Sequence, residues 1–317
     1  MTTTLRVAAI QPALRLGEVD WNLRRCETLV RAAVAEHDPD IVVLPEAMTS
    51  PNVFDPVLRS VPRPIDGEPK ALLEGLAREL NCVVGGGFLA VRGSDAYQTF
   101  VVAEPDGATS MHDKDEPSAW ENCYYRGGSD DGVFTRSFAT MGVVSGWETA
   151  RSRTAKRLRA AQVNLIIGGE CWPAYPKWPL VGRWMRRDQE YYRLWAKGTP
   201  GQLARAVGAP AVLAWHVGDI VSRTPMIPGL RWPTMMTGET QIVERDGRIL
   251  ERLSYEDGEG YISADVTIAS PEPLDPIPSG LWLRPQPFTL HSVWHYQKLH
   301  GRARYRIDKA LRRFPWQ

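Results

Sequence analysis

Residues 141–172 read MGVVSGWETARSRTAKRLRAAQVNLIIGGECW. An apolar run at 143–145 is followed by helical spacing over 149–161 and a second β-branched run at 163–167. A strand, a helix and a strand of these lengths close as a right-handed parallel crossover, the unit of an α/β sheet. The first strand ends at Gly146-Trp147-Glu148. A nucleophile placed at such a junction gains from the N–H groups of the following helix, which lower a thiol's pKa and bind an oxyanion. The residue there is glycine, with no side chain to react.

Working outward, the same alternation continues. Residues 5–12, 41–44, 82–91, 98–103 and 211–217 read as strands. Residues 20–35 place Leu23, Cys26, Leu29, Val30 and Ala33 at helical spacing, and 70–81 and 191–208 read as further helices, the last closed by glycine and Pro210. Residues 238–243 and 248–253 flank Asp246-Gly247, a hairpin turn, and 259–266 is a final strand. Strands alternating with helices predict an α/β domain over 1–269. From about residue 270 the texture becomes PEPLDPIPSGLWLRPQP, an extended proline-rich tail that leads into a basic, partly helical stretch at 291–313. We expect 270–317 to dock on the domain or on a partner subunit.

Composition bounds the function. Lysine plus arginine (38) nearly equals aspartate plus glutamate (37), so no charge excess points to nucleic acid or an anionic membrane. No apolar run reaches membrane-spanning length. The N-terminus passes straight into a strand without a signal-peptide layout. Four scattered cysteines (Cys26, Cys82, Cys123, Cys171) lack metal-ligand spacing. The expectation is a reduced, cytoplasmic protein with no structural metal.

Three segments carry candidate chemistry. Glu46 follows the strand IVVLP; a carboxylate at the carboxyl end of a parallel strand is partly desolvated, which lifts it toward the range of a general base. Alone it is more often a helix-capping or surface glutamate. Lys114 lies in SMHDKDEPSAWENCYYRGG, where a fixed lysine can stabilise an oxyanion and Glu121 can position it or hold substrate. Alone that loop is a solvated charged one. Aromatic residues crowd these segments: Trp120, Tyr124, Tyr125, Trp147, Trp172, Trp178 and Trp184. Some pack a core; the sharper reading is an aromatic-lined pocket with Trp120, Tyr124, Trp147, Glu148, Cys171 and Trp172 at the substrate. His112, Arg126, Arg151 and Arg153 read as members of local ion pairs or helix ends.

In order, LPEAMTS, HDKDEPSAWENCYY and GVVSGWETARSRTAKRLRAAQVNLIIGG resemble the three blocks of the nitrilase, or carbon–nitrogen hydrolase, superfamily. VAAIQPAL, TPGQLARAVGAPAVLAWHVG and TGETQIVERDGRIL fit as well, so the resemblance covers about residues 5–267. It implies a four-layer αββα sandwich, a homodimer or larger homo-oligomer, and cofactor-free hydrolysis of a nitrile or amide through a Glu–Lys–Cys triad and a covalent thiol intermediate. Glu46 then resembles the general base, Lys114 the oxyanion-stabilising lysine, Glu121 the additional glutamate and Gly146 the nucleophile position. GWE resembles the CWE of the nitrilase branch more than the CYD of amidases.

The departure at Gly146 leaves three readings open. The chain is a hydrolase, acting on a small aromatic or bulky apolar nitrile or amide, whose cysteine has been replaced. Or it is a natural cysteine-less member that binds a small molecule or does acid/base chemistry without a thiol. Or it has a structural role in which the tail is an interaction element; this explains least, because such a role gives no reason for both acids and the lysine. As substitute nucleophiles, Ser145 should face away from Gly146's side by strand alternation. Cys171 reaches the same sheet edge but is more often a pocket wall, and Cys123 a small buried hydrophobe.

Overall fold

Alternation along the strands sets the layers. In the computed structural model, which describes residues 2–178, 185–224, 227 and 229–317, Val7 and Ala9 face one core while Ala8 and Ile10 face another. The first half of the chain runs β1 (Thr3–Gln11), α1 (Val19–His37), β2 (Ile41–Val43), β3 (Arg63–Pro64), α2 (Glu68–Leu80), β4 (Val83–Arg92), β5 (Asp95–Ala103) and β6 (Thr109–Asp113). The second runs β7 (Val133–Thr135), β8 (Thr140–Ser145), α3 (Ser152–Ala160), β9 (Leu165–Glu170), α4 (Arg186–Val207) and β10 (Ala211–Trp215). It continues through β11 (Val217–Arg223), β12 (Arg231–Thr237), β13 (Thr240–Val243), β14 (Ile249–Leu253), β15 (Gly260–Ile268) and α5 (Phe288–Ala310).

One sheet has the order β15-β1-β2-β4-β5-β6, with β3 beside β4; the other has the order β14-β13-β10-β9-β8-β7. Val7, Val43, Phe100, Val143, Ile167 and Val212 meet between the sheets. The opposite faces carry Val42 and Val84 against α1 and α2, and Val144, Ile166 and Leu213 against α3 and α4. The result is the expected four-layer αββα sandwich. The strand–helix–strand unit of 141–172 is present, with β8 and β9 parallel and in register from Met141↔Leu165 to Ser145↔Gly169.

Several element boundaries differ from the sequence reading. The helix expected to start at 149 is two pieces, a 3₁₀ turn at Gly146–Ala150 and then α3, because Arg151 between them is extended (φ −95°, ψ 134°). The antiparallel hairpin β11–β12 has no counterpart in the expectation; Pro233 within β12 hides it from a pattern reading, and its two-stranded sheet tolerates the missing donor. Beyond β15 the chain lies on α4 and on the 3₁₀ turn before α3, with Leu274 N–H donating to Arg205 C=O (2.8 Å) and Leu283 N–H to Ala150 C=O (2.8 Å). The helix α5 then packs on the 3₁₀ turn Ala119–Cys123 that follows Lys114.

Candidate active site

The ends of β2, β6, β8 and β9 converge, and each delivers one part of the site. Glu46 follows β2 and Pro45, fully buried. Its main chain is held by His216, whose ring Nε2 donates to the Glu46 carbonyl (2.6 Å); burial pushes His216 down to about 4, so the ring is neutral. Lys114 follows β6, anchored by its N–H to Gln98 C=O (2.9 Å) and by Gly128 N–H to its own carbonyl (2.9 Å). Gly169, at the end of β9, lets the two sheets approach: a Cβ there would overlap the Glu46 backbone nitrogen and Pro45.

Lys114 Nζ bridges two carboxylates, Glu46 Oε2 at 3.1 Å and Glu121 Oε2 at 2.9 Å, with all three groups buried. Glu121 is fixed by Tyr125, whose hydroxyl donates to Oε2 (2.6 Å), and by Ser118 N–H (2.5 Å). Burial raises Glu46 to about 7, with the Glu121 charge adding and the Lys114 charge opposing. Burial disfavours the lysine's charge, but Glu121 and Glu46 together hold it above its ordinary value. A carboxyl poised near neutrality beside a permanently charged ammonium is the pairing that general base and oxyanion chemistry require.

Gly146 sits between them. Its φ is +56°, and a Cβ built there would overlap both Glu46 Oε1 and Lys114 Nζ. A side chain at this position would therefore point at Glu46 and Lys114 together. Ser145 does not turn away as strand alternation suggested: its hydroxyl donates to Glu46 Oε2 at 2.8 Å. The cause is the break from strand into a 3₁₀ turn at Gly146, which ends the alternation one residue early.

Of the residues expected at the substrate, Trp120, Trp147, Cys171 and Trp172 line a cavity with Glu46, Lys114 and Glu121. Two do not. Tyr124 is buried in the α1–α2 core and packs on Phe54 (ring centroids 6.2 Å apart). Glu148 lies behind the wall, accepting from His112 Nε2 (2.9 Å), Ser145 N–H (2.9 Å) and Asp115 N–H (3.0 Å). It braces the turn rather than facing the cavity. Trp178 packs on Trp232 (5.4 Å) away from the cavity, and Trp184 lies outside the described residues.

Cys171 reaches the site edge. Its N–H donates to Glu46 Oε1 (3.2 Å) and its sulfur accepts from Asn52 N–H (3.1 Å). Burial and the Glu46 charge push its thiol well above the ordinary value, the opposite of what activates a nucleophile. Cys123 is buried beside Tyr124. Arg126 pairs with Asp95 (3.1 Å) and Arg151 with Asp115 (2.7 Å), and Arg153 lies 3.9 Å from Asp115. The sequence reading missed Leu290 and Val293 of α5, which also line the cavity, and Asn52. Nothing in the tail's pattern tells where it lands.

No helix among the described residues is long and apolar enough to cross a membrane. The carbon–nitrogen hydrolase family model matches residues 6–274. No curated protein matches the sequence. Solved structures resemble the fold. A carbon–nitrogen hydrolase from Helicobacter pylori is 18% identical, with 83% of this chain and 89% of that one aligned at a TM-score of 0.65. Nit3 from Saccharomyces cerevisiae, of the nitrilase superfamily, is 19% identical over 83% and 89% at 0.60. A cysteine-to-alanine mutant of the Nesterenkonia AN1 amidase is 14% identical over 82% and 90% at 0.64. With a family model matching most of its length, this chain belongs to the carbon–nitrogen hydrolase family.

Proposed function

We propose that this chain binds a small amide or nitrile in the Glu46–Lys114–Glu121 pocket and, as it stands, does not hydrolyse it through a covalent intermediate. The observation that carries the reading is the place of Gly146, from which a side chain would enter between Glu46 Oε1 and Lys114 Nζ. Covalent hydrolysis needs a thiolate there to form a bond to the carbonyl or nitrile carbon, and glycine supplies no such atom. The remaining groups can still polarise a carbonyl or nitrile against Lys114 and exchange a proton at Glu46. That supports a binding role, or acid/base chemistry that needs no thiol.

The cavity is about 40 Å3, room for about three water molecules. Its size favours small aliphatic amides and nitriles. A bulky aromatic substrate, which the tryptophan wall suggests, requires Leu290 and Val293 to move outward. By family likeness we also propose a cytoplasmic homodimer or larger homo-oligomer, checked by light scattering, with residues 270–317 as the docking tail.

The test is Gly146→Cys assayed for ammonia release across a panel of small amides and nitriles, beside the unaltered chain. The variant is expected to turn over at least one of them and to be alkylated at position 146. The unaltered chain is expected to quench its tryptophan fluorescence on binding the same compound and to release no ammonia. A panel that neither form binds nor hydrolyses would overturn the assignment.

A further inference from the structure

A second concavity lies on the other side of the Lys114 loop. It has a volume of about 770 Å3, within the range of small-molecule sites. Six of its lining residues are cations (Arg126, Arg153, Lys298, Arg302, Arg306, Lys309) and three are carboxylates (Asp95, Asp115, Glu116), six minus three giving a local excess of +3. The whole chain carries only +1, so the positive charge is concentrated here.

The carboxylates are already partnered. Asp95 accepts from Arg126, Lys309 (2.7 Å) and the Tyr305 hydroxyl (2.9 Å). Asp115 pairs with Arg151, and Glu116 pairs with Lys298 and Arg302 (3.1 Å). Arg306 is left with no ion pair among the described residues, and Arg153 is 71% exposed with only a 3.9 Å approach to Asp115. Residues 298, 302, 306 and 309 follow one face of α5 at helical spacing. They form a row of cations about 16 Å long, facing Arg126 and Arg153 across the concavity. A point anion would satisfy one or two of them; a chain of linked anionic groups satisfies the row.

We propose that this cleft binds an oligophosphate group, inorganic or carried by a nucleotide, along the α5 row. Concave walls focus the field of the cations, so the attraction exceeds that of the same charges on a flat face. The cleft is separate from the amide or nitrile pocket. Tyr125 links the two: it lines the cleft, and its hydroxyl donates to Glu121, which lines the pocket.

The experiment is calorimetric titration of the full chain with tripolyphosphate, ATP and orthophosphate at matched ionic strength. Saturable 1:1 binding of tripolyphosphate, at least about tenfold tighter than orthophosphate, is expected. ATP binding no tighter than tripolyphosphate identifies the phosphate chain as the recognised part; tighter ATP binding adds a nucleoside contact to the same site. Arg153→Glu with Arg306→Glu, both exposed and outside the amide pocket, should weaken tripolyphosphate by about tenfold or more. Glu116→Gln, which releases Lys298 and Arg302, should tighten it. Undiminished binding in the double variant with an unchanged melting temperature, orthophosphate binding as tight as tripolyphosphate, or no saturation by millimolar tripolyphosphate overturns the proposal.

Discussion

Gly146 combines two demands that a cysteine would have to meet. Its φ of +56° lies in the left-handed region, where a side chain costs about 1–3 kcal/mol. The neighbouring groups that a Cβ would strike are the ends of the Glu46 and Lys114 side chains rather than backbone, so they can part. Gly146→Cys is therefore expected to lower stability by about 1–3 kcal/mol in urea unfolding while separating the 3.1 Å Glu46–Lys114 pair. A variant more stable than the parent would mean that the turn relaxes around the thiol and stores no strain. At this scale the order of the family's blocks singled out Glu46, Lys114, Glu121 and position 146, and the structure brings these four together. The sequence was not legible for Ser145, whose direction depends on a break in strand geometry that no alternation rule contains.

Among the elements, the 3₁₀ turn after β8 rests on an ion pair that the catalytic reading did not single out. Burial alone would discharge His112, yet Glu148 and Asp130 raise it to about 10 from 6.5, and Glu148 is held well below the ordinary carboxylate range. A histidine whose folded value is raised contributes stability that is complete below pH 6.5 and lost as pH climbs through 10. The melting temperature should fall over that window, and the fall should flatten in His112→Gln. An equally steep fall in the variant would assign the loss to other groups. The strand–helix–strand unit was readable because its two faces need apolar residues at fixed periods. Its inner 3₁₀ start was not, because it depends on the Glu148 side chain reaching back to Ser145 N–H.

For the whole molecule, the alternation of strands and helices made an α/β domain legible and the family resemblance implied its four layers, whereas the landing place of the tail was not legible. A proline-rich segment makes few hydrogen bonds of its own, and its course is fixed by the surface it covers. That course delivers α5 onto the site: Leu290 and Val293 line the cavity, and Trp294 is stacked on Trp147 with ring centroids 4.9 Å apart. Truncation after residue 269 should enlarge the opening, expose Trp147 and bind 8-anilinonaphthalenesulfonate strongly. A truncated chain that melts as before and binds no dye would place the tail's contribution elsewhere. The covering also assembles an indole array. Trp147, Trp172 and Trp195 from the domain meet Trp282 and Trp294 from the tail, with neighbouring centroids 4.8–6.1 Å apart. Rings so close exchange excitation, and their transitions mix into shared states. The protein thus carries its own optical gauge: the near-ultraviolet circular dichroism of the array should collapse when the tail lifts, with no label attached.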